Sequence, residues 1–243
     1  MFFYNKTSPV TVKNRRSWQT VVFACAALVL SCAAADVSAE WRGSVEGGAQ
    51  LGSNSSSTRL RLVLRNDQRP LTHYVYAEWL QSGANNDSYA IGYNPRYWFD
   101  KKYYAFSEAR VRNQASFGID SDASLIGGLG GQLIQSEDQN LYLELGLGAR
   151  SIDFEAADSN ETQLLGLARF GYDRTLADVF KIDLNIQASR SDDDVIESNA
   201  EVGLAFRLPT GSVRIAYRSQ LLKVGDNDAI TDEDMFVSYG YGF

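Results

Sequence analysis

Hydrophobic and polar residues alternate with a period of two along most of residues 40–243. Near the end of the chain, for example, polar and apolar positions interleave at Val213, Arg214, Ile215, Tyr217 and Arg218. A period of two places each residue type on its own face of a β-strand. About twelve such segments follow one another, each close to the roughly 9 to 11 residues that a tilted strand needs to cross a membrane.

The connections between these segments alternate in length. The short ones are Asn66 to Pro70, Asp100 to Lys102, Ser136 to Asn140, Thr175 to Asp178 and Pro209 to Gly211. The longer ones include Asn113 to Asp122, Ser151 to Glu161 and Lys223 to Glu233. Short periplasmic turns and longer external loops are typical of bacterial outer-membrane barrels. We therefore predict an all-β fold, a transmembrane antiparallel up-and-down β-barrel of about 12 strands with both termini periplasmic.

The alternation alone does not separate this fold from a soluble barrel, which has the same period but hides its aliphatic face inside. The outer face of such a soluble barrel would here be crowded with arginine and glycine. The membrane barrel is therefore the favoured interpretation.

The first 39 residues have the pattern of a secretory signal peptide. A basic stretch that includes Lys13 and Arg16 precedes the apolar run Val21 to Leu30, and small residues at Val37 to Ala39 suit cleavage. We expect residues 1–39 to be removed and residues 40–243 to form the barrel. An alternative cleavage would leave Cys32 acylated as a lipoprotein.

Aromatic residues mark the other end of the chain, at Tyr239, Tyr241 and Phe243. An aromatic face at the membrane boundary is typical of the last strand of a barrel, which pairs with the first and removes both sheet edges. These residues are the expected signal for the barrel-assembly machinery. Further aromatics, Tyr97 to Phe99 and Tyr103 to Tyr104, flank a short turn and predict an interfacial girdle.

The composition restricts the partners and metal ions that the protein can bind. The leader takes both cysteines, four basic residues and one acidic residue with it, so the mature chain keeps 19 basic and 29 acidic residues, a net charge of −10. A nucleic-acid partner is not expected. With a single histidine, His73, and no mature cysteine, we expect no metal site and no cofactor, and any bound cation would be a hard ion held by carboxylates.

The face opposite the aliphatic one predicts what lines the lumen. Its basic residues are Arg42, Arg59, Arg61, Arg65, Arg110, Arg112, Arg150, Arg169, Arg207, Arg214 and Arg218, and its carboxylates are Glu46, Glu78, Glu108, Glu144, Asp183 and Glu201. Guanidinium groups could form a track for small anions, since they offer forked donors to carboxylates and phosphates. The same residues could instead close the lumen with a ladder of ion pairs. Both alternatives stay open at this point.

Other carboxylates are expected in external loops, in contact with solvent or, through divalent ions, with lipopolysaccharide. They are Asp120, Asp122, Asp153, Glu155, Asp158, Glu161, Asp192 to Asp194, Asp226, Asp228, Asp232, Glu233 and Asp234. Acidic loops of this kind would repel the anions that the lumen arginines attract.

Short motifs resemble one family across most of the mature chain. They are Trp41-x-Gly43, Phe117 to Asp120, Gly127 to Leu133, Leu143 to Arg150 and Glu201-x-Gly203-Leu204. They are similar to a widespread family of uncharacterised bacterial outer-membrane proteins that are often described as salt-induced. The Gly-Asn-Thr that tends to follow the first strand in that family is replaced here by Gly52-Ser53-Asn54. The resemblance implies a barrel, and it carries no catalytic residues.

The expected protein is a non-enzymatic component of the Gram-negative outer membrane, in contact with outer-membrane lipids and lipopolysaccharide. It is either a narrow channel for small polar or anionic solutes or a structural barrel linked to osmotic or salt stress. The alternative is a lipid-modifying hydrolase with His73 as general base. His73 is placed near the periplasmic end, away from the outer leaflet, and this favours a packing role. A third possibility is an adhesion or phage-contact surface built from the loops.

Overall fold

The structure, a computed structural model, describes residues 41–51, 56–82, 86–154, 161–176 and 179–242. Its strands are Trp41–Leu51 (β1), Ser56–Asn66 (β2), Leu71–Ser82 (β3), Asn86–Trp98 (β4), Tyr103–Gln114 (β5), Ile119–Gln135 (β6), Gln139–Phe154 (β7), Glu161–Leu176 (β8), Phe180–Ser191 (β9), Val195–Leu208 (β10), Gly211–Val224 (β11) and Ile230–Gly242 (β12). A 3₁₀ turn, Ala115–Phe117, follows β5. Among the described residues no helix is long and apolar enough to cross a membrane. The predicted leader, residues 1–39, the predicted loop carboxylates Glu155 and Asp158, and Phe243 lie outside the described residues.

The twelve strands form one closed antiparallel sheet in which each strand pairs with its neighbours in the chain. The barrel closes where β1 pairs with β12, from Ser44 opposite Gly242 to Leu51 opposite Met235. This closure removes both sheet edges, so every strand has a hydrogen-bonding partner on each side. The predicted twelve-stranded up-and-down barrel is thereby confirmed.

The two ends of the barrel differ. At the turn end, where β1 begins and β12 ends, links of two to four residues join the strands at 67–70, 99–102, 136–138 and 209–210. At the opposite end, the loop end, Gly118 and Gly225 have φ angles of 63° and 57°. Glycine adopts this left-handed conformation without steric cost, and these two residues redirect the chain between strands.

The loop-end connections are shorter than the sequence analysis predicts, because the strands extend further. β6 already begins at Ile119 and β12 at Ile230. Asp122 and Asp234, expected in external loops, therefore lie within strands and are buried in the lumen. Asp153 and Glu161 also belong to strands. In these segments small and polar residues replace the aliphatic ones on the outer face. The hydrophobic alternation in the sequence therefore fades before the strand itself ends.

Aliphatic side chains cover the outer surface. Leu147 is 76% exposed and Leu164 is 70% exposed, and both lie on the outer face, as do Leu125, Leu129 and Leu145. The buried residues of the interior are to a large part charged or polar. This is the reverse of a water-soluble barrel, and an aliphatic band of this kind is stable only in contact with hydrocarbon.

Part of the predicted aromatic girdle points inward. Tyr97, Phe99 and Tyr103 are exposed on the outer surface at the turn end, as expected of an interfacial belt. Trp98 and Tyr104 instead pack against each other, with ring centroids 4.5 Å apart, and Tyr104 is buried. Adjacent residues of a strand face opposite sides, so one aromatic run divides between lipid and lumen.

Candidate functional site in the barrel lumen

The carboxylate of Asp122 on β6 is the centre of a buried charge cluster. Its side chain is fully buried, and Arg112 donates to it from Nε at 2.5 Å and Arg150 from Nε at 3.1 Å. Arg112 also makes two hydrogen bonds, of 2.5 and 2.6 Å, to the carboxylate of Glu197 on β10. This bidentate pair crosses the lumen from β5 to β10, and forked geometry of this kind fixes both side chains.

A second cluster is centred on Arg169 of β8. Its Nη1 and Nη2 atoms donate to Glu144 at 2.7 Å and to Glu108 at 2.8 Å. Glu144 is fully buried and also accepts from the Tyr104 hydroxyl at 2.9 Å, and its carboxylate lies 2.8 Å from Nη2 of Arg96. These contacts connect β4, β5, β7 and β8 across the interior.

A third cluster is centred on Glu78 of β3. Arg218 of β11 contacts Glu78 at 3.2 Å and Asp234 at 3.0 Å, and Arg59 of β2 contacts Glu78 at 2.9 Å. The Arg59 guanidinium also lies 4.3 Å above the ring of Phe236, a cation–π distance. Together these contacts tie β2, β3, β11 and β12 into one network.

Arg214 extends this third cluster, with an Nη2 atom 2.6 Å from Asp183 and 2.7 Å from Glu201. Buried carboxylates are stable only when paired and hydrogen-bonded. Since arginines are the partners in all three clusters, the clusters hold the interior in one arrangement and narrow the bore.

A cavity of about 490 Å³ remains inside the barrel. It is lined at the turn end by Asp67 and Thr72 and at the loop end by Ser116 and Asp232, and so it extends along the barrel axis. Charged residues also line it: Arg59, Arg110, Arg112, Arg169, Arg218, Glu78, Glu108, Glu197 and Glu201. The interior therefore contains an elongated polar cavity flanked by cross-lumen ion pairs.

The other residues expected in the lumen lie near its turn end or on its wall. Arg42, Arg65 and Arg207 are exposed close to the turn end. Arg61 lines the cavity, and the carboxylate of Glu46 accepts a hydrogen bond from the hydroxyl of Ser238.

Four charged members of the clusters were absent from the sequence-based set: Arg96, Asp122, Glu197 and Asp234. Glu197 lies two and four residues before Asn199 and Glu201 on β10, so extending the alternation of that strand would have placed it in the lumen. Asp122 was missed because the strand was expected to begin after it.

The single histidine is an outward-facing aromatic contact near the turn end. His73 Nδ1 lies 2.8 Å from the Tyr93 hydroxyl, and its ring stacks on Tyr93 and lies 6.0 Å from that of Trp41. Among the described residues, no serine is hydrogen-bonded to His73, as a nucleophile activated by this histidine would be. Over all the residues that the structure describes, no group of three or more histidine, cysteine, aspartate or glutamate side chains is arranged to hold a metal ion.

Tyr239 and Tyr241 of the terminal strand are exposed on the outer surface. The Tyr239 hydroxyl donates to the backbone carbonyl of Thr210 at 2.8 Å, which ties β12 to the adjacent turn. Both rings therefore occupy the outer wall at the turn end, next to the seam where the barrel closes.

The closed sheet, aliphatic exterior and charged lumen define a porin-like outer-membrane β-barrel. Two solved structures of outer-membrane proteins have a similar fold. The NanC porin superposes with a TM-score of 0.57 at 11% identity, covering 82% of this chain and 98% of that one. An outer membrane channel from Pseudomonas putida F1 gives a TM-score of 0.51 at 10% identity, covering 84% and 96%.

Within that class, the chain belongs to the family described as "Protein of unknown function, DUF481", whose pattern matches residues 45–243. No curated protein sequence matches it. The expected membership of an uncharacterised family of outer-membrane barrels is confirmed. The link to salt induction stays a prediction.

Proposed function

We propose that this protein is a narrow channel that lets small polar and anionic solutes cross the bacterial outer membrane. The observation that carries the proposal is the 490 Å³ cavity that reaches from the turn end to the loop end through an arginine-rich interior. A polar passage inside an aliphatic shell provides solutes with a hydrated route that the bilayer does not. The porin-like fold supports the same function.

The ion-pair clusters set the size of solute that we expect to pass. Arg112 reaches Glu197 across the lumen, and Arg169 reaches Glu108. Each contact is a rigid obstacle within the bore, so only small solutes fit beside it. The same rigidity would also suit a structural role under osmotic stress, and the channel proposal is the one that predicts a current.

The proposal includes a cellular setting. We infer that residues 1–39 direct export and are removed, and that the mature barrel lies in the outer membrane with its turn end and both termini in the periplasm. The partners in this setting are outer-membrane lipids, lipopolysaccharide at the loop end, and the assembly machinery that engages the terminal strand.

A bulky side chain in the passage should block it. Ala90 lies on β4 and lines the cavity. We expect wild-type protein in planar bilayers to show discrete conductance steps and Ala90→Trp to lower the step size at least about threefold, since an indole fills a large part of a narrow bore. Single-channel recording in potassium chloride measures this directly.

The matched control is Ala168→Trp, which adds the same side chain to the exposed outer surface of β8. Its conductance should equal that of wild type. A wild-type protein without conductance at any voltage would contradict the channel and favour the structural role. Equal conductance in the wild type and both variants would show that the cavity is not the route.

A further inference from the structure

We propose that the passage contains a binding site for organic oxyanions, formed by Arg61, Tyr74, Tyr76 and Arg110, which we call the tyrosine-wall site. The proposal rests on the channel function and adds the chemical class of solute that the channel retains. All four residues line the cavity, and they come from the adjoining strands β2, β3 and β5, with β4 between the last two.

The two arginines of this site are the ones that the lumen carboxylates leave incompletely paired. Seven other lumen arginines lie 2.5 to 3.1 Å from a carboxylate oxygen. The Arg110 guanidinium comes no closer than 3.6 Å to Asp122, and the side chain makes no hydrogen bond within the described part of the chain. Arg61 has no ion pair there, and its one hydrogen bond is a 3.4 Å contact with the Tyr74 hydroxyl.

Burial makes this shortage of partners significant. Arg110 is only 9% exposed, and the Nε atoms of both Arg61 and Arg110 are buried without a hydrogen-bond partner. A buried guanidinium with unused donors is costly, and an oxyanion supplies the acceptors that such a group lacks. The two side chains therefore provide guanidinium donors to which the protein itself supplies no acceptor.

Two nearby carboxylates are bound by other arginines, and a third, Glu46 on β1, lies opposite Arg61 in the strand register and accepts a hydrogen bond from Ser238. Glu78, next to Arg61 in the strand register, is bound by Arg59 and Arg218. Glu108, two residues before Arg110, accepts from Arg169 at 2.8 Å and from Asn94 at 3.3 Å. Glu78 and Glu108 are therefore held by other arginines, and an anion from solution does not have to displace either of them from Arg61 or Arg110.

The wall between the two arginines is aromatic. The rings of Tyr74 and Tyr76 lie 5.9 Å apart. The Tyr76 ring lies directly over Gly92, where an added Cβ would come within 2.3 Å of the ring, and Gly92 is opposite Arg110 in the strand register. Glycine at this position therefore lets the ring lie against the wall beside Arg110. An apolar or aromatic part of the solute can pack on these rings while its oxyanion binds a guanidinium.

The test compares two ring-bearing probes of similar shape and opposite charge. Benzoate added to wild-type channels in neutral bilayers should reduce the potassium chloride current in a saturable way, whereas benzylammonium should not. Acetate, which carries the oxyanion without the ring, should block more weakly than benzoate. In Arg61→Gln/Arg110→Gln the half-blocking benzoate concentration should rise at least about tenfold, as expected for the loss of charge-assisted hydrogen bonds.

The control variant is Arg174→Gln/Arg190→Gln, which removes the same two charges from exposed positions outside the site. It should retain the wild-type block. Heat-dependent migration of each variant on a gel shows whether the barrel has folded, and binding of benzoate measured by calorimetry in detergent gives a second readout that needs no current.

The outcomes separate the two proposals. Absence of any conductance, with benzoate binding retained in calorimetry, would end the channel proposal and leave the site. If the protein conducts and benzoate and benzylammonium block it equally, the tyrosine-wall site is contradicted while the channel proposal stands. Equal block by benzoate in the two double variants would have the same meaning.

Discussion

Replacing Asp122 by asparagine should lower the free energy of unfolding by about 3 to 5 kcal/mol. The carboxylate is fully buried and contacts Arg112 at 2.5 Å, Arg150 at 3.1 Å and Arg110 at 3.6 Å. Asparagine has nearly the same shape, so packing is preserved. Among the described residues, Arg112 and Arg150 would keep only Glu197 within ion-pair distance, and Arg110 would lose its one ion pair. Buried charges without partners are strongly destabilising. Urea unfolding in lipid vesicles, followed by tryptophan fluorescence, measures the loss.

A surface ion pair provides the comparison. Asp194 contacts Arg190 at 2.6 Å, but both side chains are mainly exposed. Asp194→Asn should therefore change the unfolding free energy by no more than about 1 kcal/mol. Removing one of the stranded charges, in Asp122→Asn/Arg150→Gln, should restore part of the stability. If Asp122→Asn were as stable as Asp194→Asn, the ion pairs of Asp122 would not contribute to the free energy of unfolding.

Gly148→Ala should impair closure of the barrel, with an unfolding free energy lower by about 3 kcal/mol, the upper end of the usual range for over-packing. A Cβ at this position would lie 2.1 Å from the backbone carbonyl oxygen of Leu125 and 2.7 Å from Cα of Ile126. Both contacts are with backbone of the paired strand β6, which cannot move aside as a flexible side chain can. The folded fraction on refolding into vesicles, read from gel migration, should fall together with the stability.

Gly127→Ala is the matched substitution on the outer face. The nearest atom to its added Cβ is the carbonyl oxygen of Phe106, at 3.9 Å, an ordinary contact distance. This variant should fold as well as wild type, and alanine should not weaken the strand. Similar behaviour of the two variants would mean that β6 and β7 are not in close contact at Gly148.

Much of the fold could be read from the sequence because a membrane barrel imposes a local rule. Side chains must alternate between hydrocarbon and lumen, so the Leu141 to Leu147 segment already specifies which face meets lipid. The rule fails where the lipid-facing and the lumen-facing residues of a strand are of the same type. Small and polar residues around Asp122 obscured the start of β6, and in the run Tyr97 to Tyr104 residue type alone did not show that Trp98 and Tyr104 turn inward.

The sequence by itself determined the period of the strands, their approximate number and the segregation of leucine from arginine, since these depend only on neighbouring residues. Only the tertiary structure decided which charges meet. Arg112 and Glu197 are 85 residues apart in the chain and become bidentate partners because closing a sheet into a barrel brings β5 and β10 face to face. That same geometry places most of the lumen carboxylates against an arginine and leaves Arg61 and Arg110 incompletely paired. Pairing across a lumen depends on curvature and register, which alternation along a single strand does not specify.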